Sequence, residues 1–217
     1  MGKMFFMKLH SIRNEYKYAG LSEASIENNP LKQFEHWLND ALNAKVNEPT
    51  AMSVATFGTD GFPNSRIVLL KDFNEMGLTF FTNYNSNKGK SITKNPAIGL
   101  HFFWPELERQ IRISGFAEKT SDEISDSYFY SRPVLSQMAA VVSNQSSKIP
   151  SREFLKDQFE VLKEKAGKES LKRPENWGGF LVTPVKFEFW QGRESRLHDR
   201  ILYEKVDGYW VISRLAP

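Results

Sequence analysis

The sequence contains no cysteine, and this absence removes several kinds of chemistry at once. Disulfides, thiolate metal sites and thiol nucleophiles are excluded, and the composition fits a reducing compartment, so we expect a cytoplasmic protein. Long apolar runs are missing too. None approaches the length of a membrane span, and the short run in the N-terminal MGKMFFMKLH is interrupted by Lys8, which argues against a signal peptide.

Several catalytic and cofactor motifs are also absent. Neither glycine-rich nucleotide loop, G-x-G-x-x-G or G-x-x-x-x-G-K-[ST], occurs in the sequence, and there is no G-x-S-x-G nucleophile elbow. The 4 histidines share no metal-ligand spacing, so the sequence predicts no metal site.

The sequence does contain enough apolar material for a folded core. Its 217 residues are 40% apolar and 13% aromatic, which excludes a disordered chain. The net charge is only +3, so a general polyanion binder is not indicated and no nucleic acid partner is expected. We predict a flexible N-terminal segment, residues 1–29, and one domain, residues 30–217.

Local patterns predict mainly β-strands with helices inserted between them. Period-two segments such as AMSVATF and SRIVLLKDF are joined by turns, and Asp60-Gly61 and Asp207-Gly208 are hairpin signals. Helices are predicted to start at Pro30, Ser86, the capping-box pair Thr120 and Glu123, Pro133, and Ser151. The first has apolar residues at helical spacing: Leu31, Phe34, Leu38 and Leu42. Hairpin-linked strands favour an antiparallel barrel or sandwich with helical additions.

Two basic motifs have both a functional and a structural interpretation. RIVLLK has Arg66 and Lys71 at the ends of an apolar strand, where period two directs them to opposite faces unless the strand twists or bulges. The alternative is a core strand with charged ends that reach solvent. SNKGK has Ser86 and Lys88 at a predicted helix start, which favours a phosphate. The alternative there is a solvated basic helix.

A third motif, YFYSRPVLSQ, lies at a corner between two predicted helices. Tyr128, Arg132 and Ser136 can converge there on one anion at a helix start, because Pro133 forces Arg132 out of helical geometry. The alternative is a helix-breaking corner with an exposed arginine. The nearby NQSSK, residues 144–148, is a polar loop rich in hydrogen-bond donors.

The stretch FEFWQGRESRLHDRILY concentrates cations beside Trp190. If this stretch is a strand, Arg196, His198 and Arg200 project to one side, because they are spaced two residues apart. The alternative is a cation–π ladder on a sheet surface. Arg193 is assigned no role and is predicted to be an exposed loop residue.

Taken together, these stretches closely resemble the pyridoxine/pyridoxamine 5′-phosphate oxidase family of FMN enzymes. The matching motifs appear in family order and cover nearly the whole chain from about Pro30. They are RNEY (Arg13–Tyr16), PTAMSVAT, RIVLLK, FFTN, LERQ, YFYSRP, NQSS, NWGGF, EFWQG, RLHDR and the terminal RLAP. Each motif is weak alone, whereas the ordered set is highly specific.

The resemblance implies an antiparallel split β-barrel that forms a homodimer with FMN at the subunit interface. The implied reaction oxidises pyridoxine 5′-phosphate and pyridoxamine 5′-phosphate to pyridoxal 5′-phosphate. A hydride passes from C4′ of the substrate to N5 of FMN, and O2 reoxidises the flavin and gives H2O2. This reaction belongs to vitamin B6 biosynthesis and salvage.

The resemblance also implies roles for individual residues. The implied FMN contacts are Arg66, Ile67, Val68, Leu69, Leu70, Lys71, Phe81, Thr82, Asn87, Lys88, Gln110, Gln145, Ser146, Trp190 and Arg200. The implied contacts to the substrate phosphate are Lys71, Tyr128, Arg132 and Ser136. Arg196 and His198 are implied to flank the pyridine ring as catalytic residues. The N-terminal segment that can cover the site corresponds to Arg13, Asn14, Glu15 and Tyr16.

One position departs from the family pattern. Family members commonly have arginine where this chain has Asn87, so one cationic partner for the FMN phosphate is missing. Two other classes of function remain open from the residues alone. One is a different flavin-, deazaflavin- or haem-dependent protein of the same fold, and the other is a flavin or pyridoxal phosphate carrier without turnover.

Overall fold

A computed structural model describes residues 15–16, 19–166 and 171–217. Its helices are α1 (Pro30–Asn43), α2 (Asn87–Lys94), α3 (Asp122–Ser131), α4 (Val134–Val142) and α5 (Arg152–Ala166). Its strands are β1 (Ala51–Phe57), β2 (Pro63–Leu69), β3 (Asp72–Asn74), β4 (Gly77–Asn83), β5 (Ala97–Trp104), β6 (Arg109–Lys119), β7 (Trp177–Gln191), β8 (Asp199–Val206) and β9 (Tyr209–Arg214). Short 3₁₀ turns occupy Pro105–Leu107 and Glu194–Arg196.

The strands form one antiparallel sheet that divides at β7. The main order is β2-β1-β5-β6-β7-β4-β3, and β8 and β9 branch from β7. Along one edge β7 pairs with β6, whereas its other edge pairs first with β4 and then with β8. The predicted fold class, a mainly antiparallel β structure with peripheral helices, is therefore confirmed. Because β7 is 15 residues long, up to roughly 45 Å of strand separates its ends.

Both predicted Asp-Gly hairpins are present. Asp207 and Gly208 have φ of 50° and 87°, the pair of positive values that a two-residue type I′ turn requires. The first hairpin has a longer loop between β1 and β2, in which Gly61 has a φ of 88° and the Asp60 carboxylate accepts the Phe62 N–H.

Helix α1 closes the core against the sheet. The Asn29 side chain caps it by accepting the Leu31 N–H, and Pro30 occupies its first turn. The Phe34 ring packs on Phe73 and Phe102, and all three belong to or pack against one apolar cluster. Leu42 was predicted to lie on this face, but it is 50% exposed, because the buried stripe runs through Trp37, Leu38 and Ala41 instead.

The remaining helix starts are largely as predicted. Ser86 caps α2 by accepting the Gly89 N–H, and the Ser151 hydroxyl accepts the Phe154 N–H at the start of α5. The capping box proposed from Thr120 and Glu123 is wrong by one residue. Ser121 caps α3, and the Thr120 hydroxyl instead bonds that of Ser125. None of the helices in the described ranges has both the length and the apolar character needed to cross a bilayer.

Candidate functional site

A cavity of about 690 Å³ opens between β2, β4 and the helices α2, α3 and α4. Its volume lies within the usual range for small-molecule sites. The residues that line it are Arg66, Ile67, Val68, Leu69, Lys71, Phe81, Thr82, Asn83, Asn87, Lys88, Tyr128, Arg132, Ala139, Ala140, Ser143, Gln145, Ser146 and Trp177. Most of the residues implied to contact FMN or the substrate phosphate are thus brought together in one chain.

The cavity carries four cationic side chains, and none of the described residues lining it is acidic. Lys88 is buried and donates to Thr82 Oγ1 and Gln145 Oε1, each at 2.8 Å. Burial, with a smaller contribution from the nearby Arg66 charge, lowers the Lys88 pKa from 10.5 to about 8. The cavity is therefore a site where a bound anion relieves an unfavourable positive charge.

Arg66 is held by neutral acceptors. Its Nη1 donates to the Val54 and Asn64 carbonyls, each at 3.1 Å, and to Thr56 Oγ1 at 2.9 Å. Burial lowers the Arg66 pKa from its ordinary value. The guanidinium is fixed in place by these bonds without being neutralised.

Arg132 is the second partly buried guanidinium. It stands 4.7 Å over the Trp177 ring, and its buried Nη1 has no hydrogen-bond partner among the residues that the structure describes. Buried N–H groups are almost always paired, so this atom is available for a ligand acceptor. Tyr128 stacks on Phe81 at 3.9 Å beside it, and burial raises the Tyr128 pKa.

The start of α2 is joined to the loop after α4. The Asn87 N–H donates to Ser146 Oγ at 3.3 Å, and Gln145 Oε1 accepts from both Lys88 and Thr82. Ser146 takes a φ of 71°, which turns this loop toward the helix start. Polar donors from α2, β4 and the loop therefore meet at one end of the cavity.

A second group of implied residues lies at the far end of β7. We call Tyr16, Trp190 and His198 the Trp190 cluster. The His198 ring is 4.7 Å from Trp190, and the Tyr16 ring is 5.6 Å from each of the other two, edge-on. His198 Nδ1 accepts the Arg193 N–H at 3.1 Å, so the neutral imidazole carries its proton on Nε2. Burial and then the Arg196 charge lower the His198 pKa.

Gln110 and Arg200 lie beside Trp190 in the register of β6, β7 and β8. Arg200 Nε bonds Glu188 Oε1 at 2.9 Å, and its Nη1 donates to the Ala216 carbonyl at 2.7 Å. Gln110 Oε1 lies 3.0 Å from His101 Nε2. The Arg200 charge is therefore compensated by a buried carboxylate, unlike the charges of the cavity.

The structure corrects several predictions about these motifs. Arg66 and Lys71 line the same cavity, because β2 ends at Leu69 and only Arg66 lies within the strand. Leu70 is buried in the core instead of lining the cavity.

Further corrections concern the stretch around His198. Arg196 and His198 precede β8 and do not lie on one strand with Arg200, since Arg196 ends a 3₁₀ turn with a φ of 60°. Arg193 is an exposed loop residue, as predicted, and its Nε is 3.7 Å from the Asp199 carboxylate.

Some implied residues are not gathered at either end of β7. Ser136 is in the first turn of α4 but does not line the cavity. Arg13 and Asn14 lie outside the described residues, and Glu15 is described beside Tyr16. Conversely, sequence reasoning assigned no role to Trp177 or Ala139, which line the cavity, although Trp177 lies in the NWGGF motif. Glu188 was also missed, and only its burial beside two arginines identifies it.

Comparisons with known proteins agree with this geometry. The family model described as pyridoxamine 5′-phosphate oxidase matches residues 38–166, and the model of the pyridoxine 5′-phosphate oxidase C-terminal dimerisation region matches residues 177–217. The chain belongs to the pyridoxamine 5′-phosphate oxidase family. A pyridoxine/pyridoxamine 5′-phosphate oxidase from Mannheimia succiniciproducens is 51% identical over 211 residues, which cover 96% of this chain and 99% of that protein.

Solved structures show the same fold. PhzG from Burkholderia lata, crystallised with tetrahydrophenazine-1-carboxylic acid, superimposes with a TM-score of 0.84 at 30% identity and covers 89% of this chain and 95% of its own. A pyridoxamine 5′-phosphate oxidase-related, FMN binding protein from Nostoc punctiforme superimposes with a TM-score of 0.71 at 18% identity, covering 88% of this chain and 100% of its own.

Proposed function

We propose that this protein is an FMN-dependent oxidase that converts pyridoxine 5′-phosphate and pyridoxamine 5′-phosphate to pyridoxal 5′-phosphate, with O2 as the final electron acceptor and H2O2 as a product. The observation that carries the proposal is the cavity with four cations, where the described residues include neither an acidic residue in the lining nor a hydrogen-bond partner for the buried Arg132 Nη1. Membership of the oxidase family supports the substrate class.

The cavity residues fit FMN. Lys88 and Arg66 are charged and held by neutral partners, so they suit a phosphate dianion, with Thr82, Gln145 and Ser146 as further donors. The half-buried Val68 and Leu69 supply an apolar edge against which a flat ring system can lie. When bound, FMN supplies hydride acceptance at N5 and subsequent reoxidation by O2.

The substrate phosphate is assigned to a different part of the cavity. Arg132, with its unpaired Nη1, lies beside Tyr128, and Lys71 reaches the cavity from the chain after β2. Ser136, in the first turn of α4, is added to this group on the family resemblance alone, since its side chain does not line the cavity. Two cations and two hydroxyls suit a phosphate ester better than a neutral hydroxymethyl group.

The Trp190 cluster is assigned to the pyridine ring. His198 carries its proton on Nε2 and stays neutral at pH 7, because its pKa is lowered. We therefore assign it a hydrogen-bond donor role toward the hydroxyl or amine on C4′, which orients the substrate. Arg196 lies close enough to act on the His198 pKa, and we assign its planar cation to the face of the pyridine ring.

The distance between the two groups supports a shared site in a homodimer. The cavity includes Trp177 at the start of β7, and the Trp190 cluster lies at its end. In a two-fold dimer the cavity of one protomer can meet the Trp190 cluster of the other, with FMN at the interface. The match of residues 177–217 to a dimerisation region supports this arrangement.

Oxygen consumption and H2O2 release, measured with each phosphate ester, test the reaction. Acid release of the chromophore should give FMN, and the mass in solution should be that of a dimer. Recovery of FAD alone, or ester binding without peroxide release, would contradict the proposal, and the second result would favour the carrier.

Mixed dimers test the shared site. Lys88→Met disables the cavity and His198→Ala disables the Trp190 cluster, so each homodimer should be weakly active. A purified heterodimer of the two variants has one site with both halves intact, and we expect about half of the wild-type activity. If the site lay within one protomer, the heterodimer would be no more active than its parents.

A further inference from the structure

The segment Ala19–Glu23 is tied to the last two strands by a group of charges that the proposed function does not use. We call Glu23, Asp199 and Arg214 the clasp. Arg214 bonds both carboxylate oxygens of Glu23, at 2.8 and 2.9 Å, and its Nη1 bonds Asp199 Oδ1 at 2.7 Å. Such bidentate pairs combine strength with fixed geometry.

The clasp also holds the backbone of the segment. The Leu21 N–H donates to Asp199 Oδ2, and the Leu21 carbonyl accepts from Arg214 Nη2, each at 3.0 Å. The hydrogen bonds from Arg214 lower the pKa of Glu23 to about 2, so this carboxylate stays charged at any working pH. Leu21 itself is buried. The chain is therefore fixed at Leu21, five residues after Tyr16.

Gly192 provides the space into which the Tyr16 ring packs. A Cβ atom at position 192 would lie 2.7 Å from Tyr16 Cγ and 2.9 Å from its Cβ and Cδ1. The Gly192 φ is outside the left-handed region, so alanine is compatible with the backbone there. The closest obstacle to a side chain at this position is the Tyr16 ring itself.

We propose that Gly192 and Arg214 are positioning residues that dock Tyr16 on the Trp190 cluster and so complete one wall of the ring pocket. The clasp fixes the segment, and the missing side chain at Gly192 lets Tyr16 approach Trp190 and His198 edge-on at 5.6 Å. The proposal rests on the proposed function for the identity of the substrate. The docking itself does not depend on that identity.

The wall acts mainly on substrate binding. Tyr16 covers one side of the ring pair and excludes water there, which strengthens contacts to a bound pyridine ring. The family resemblance places Tyr16 in the segment that covers the site and not among the FMN contacts, so FMN retention should not depend on it. Loss of docking should therefore raise KM and leave kcat and cofactor affinity nearly unchanged.

A double-mutant cycle between Gly192→Ala and Tyr16→Gly tests this role. Each single variant should raise KM for pyridoxine 5′-phosphate about tenfold, with kcat within about threefold of wild type. The double variant should be no worse than Tyr16→Gly, because the added methyl group then meets neither the ring nor the Cβ atom of residue 16. Gly99→Ala is the matched control, since its Cβ would meet only Ala55 at 3.6 Å. Additive effects in the double variant would overturn the proposal.

Hydrogen exchange tests the docking without substrate or cofactor. In the FMN-free protein, Arg214→Ala should speed exchange at the Leu21 amide at least about tenfold, because its acceptor Asp199 keeps only the longer contact to Arg193 and the Leu21 carbonyl loses its donor. The control is Lys186→Ala, which breaks the exposed Lys186–Glu204 pair and should leave the exchange rate of the Leu21 amide unchanged. Equal exchange in both variants would overturn the clasp. If the wild type oxidises neither ester, the proposed function fails, whereas this measurement still decides the docking.

Discussion

Cations lie beside a tryptophan at both ends of β7, but only at one end are arginines paired with carboxylates. At the start of β7, Arg132 lies over Trp177. The described part of the chain offers its buried Nη1 no hydrogen-bond partner and places no acidic residue in the lining of that cavity. At the end of β7, beside Trp190, Arg200 is neutralised by the buried Glu188, and Arg193 faces Asp199.

This difference indicates what each end is suited to bind. Positive charge left uncompensated in a partly buried cavity is unfavourable until an anion arrives, so the cavity suits phosphate groups. Arg193 and Arg200, whose charges are compensated, stay hydrogen-bonded but exert little net field, which leaves Arg196 as the cation that acts on His198. The Trp190 cluster therefore suits a planar ring with much less charge than a phosphate. A phosphorylated pyridine derivative carries both features in one molecule.

The largest expected effect tests whether the cavity binds the phosphate group of the substrate. Hydrogen bonds to charged groups contribute about 1.5–3 kcal/mol each, so losing two or three costs on the order of 4 kcal/mol. Unphosphorylated pyridoxine should therefore be worse than its 5′-phosphate by at least about a thousandfold in kcat/KM. Arg132→Ala should narrow this gap by harming only the ester, and the exposed Arg152→Ala is the control. If kcat/KM for free pyridoxine were within about tenfold of that for the ester, Tyr128 and Arg132 would not form a phosphate site. They would then have only a structural role at the corner between α3 and α4.

The next largest effect tests the assignment of the Trp190 cluster to the pyridine ring. Arg196→Ala and His198→Ala should retain FMN but lower kcat/KM for pyridoxine 5′-phosphate by roughly a hundredfold, the low end of what positioned polar groups contribute. Steady-state kinetics and the flavin content of the purified variants check this. If both variants lost FMN and turned over normally after reconstitution, these residues would act on the cofactor.

Sequence reasoning succeeded where the signal is local. Asp207-Gly208 fixes a turn by its own φ angles, and Ser86 caps a helix through a bond to Gly89, three residues away. The residues that line the cavity were predicted only from the resemblance to a family. No periodicity in the sequence relates Arg66 to Lys88 or Tyr128.

What the sequence missed depends on contacts between distant segments. Period two placed Arg66 and Lys71 on opposite faces, and the end of β2 at Leu69 invalidates that rule. The partner of Arg193 is Asp199, and the division of the sheet depends on β7 changing partner from β4 to β8 midway. Neither pairing can be predicted from the local sequence pattern.

A smaller effect concerns Lys88 and pH. Lys88→Met should raise the Kd for FMN about tenfold to a hundredfold through one lost charged contact. In wild type the Kd should also rise as pH increases above 8, because the cofactor-free Lys88, with a pKa of about 8, must regain a proton to bind the phosphate. Titrations with FMN at several pH values check this. A pH-independent wild-type Kd would contradict it.

The same lowered pKa predicts a stability effect with a definite sign. Between pH 8 and 10.5 the unfolded chain binds a proton at Lys88 that the folded, cofactor-free protein does not. Its free energy of unfolding should therefore rise with pH across that window, relative to Lys88→Met. Urea unfolding of both proteins at pH 7 and pH 10 measures the difference. Bound FMN should diminish it, because the phosphate keeps Lys88 protonated.

The smallest effect tests how completely the cavity provides for its anion. Asn87 is exposed, lines the cavity in the first turn of α2, and holds Ser146 only through its backbone N–H. Asn87→Arg therefore adds a cation without breaking that contact. A partly exposed charged contact at a helix start should tighten FMN binding by roughly 0.5–2 kcal/mol, and the gain should shrink as salt is added.

Asn85→Arg is the matched control for this last variant. Asn85 is also exposed and two residues away, but it does not line the cavity, so the same change in net charge should leave the FMN affinity nearly unchanged. FMN titrations at low and high salt measure both variants. Equal tightening by the two would mean that only the overall charge matters. No tightening by Asn87→Arg would mean that Lys88 and Arg66 already provide what the phosphate needs, and that the arginine common in the family is dispensable in this chain.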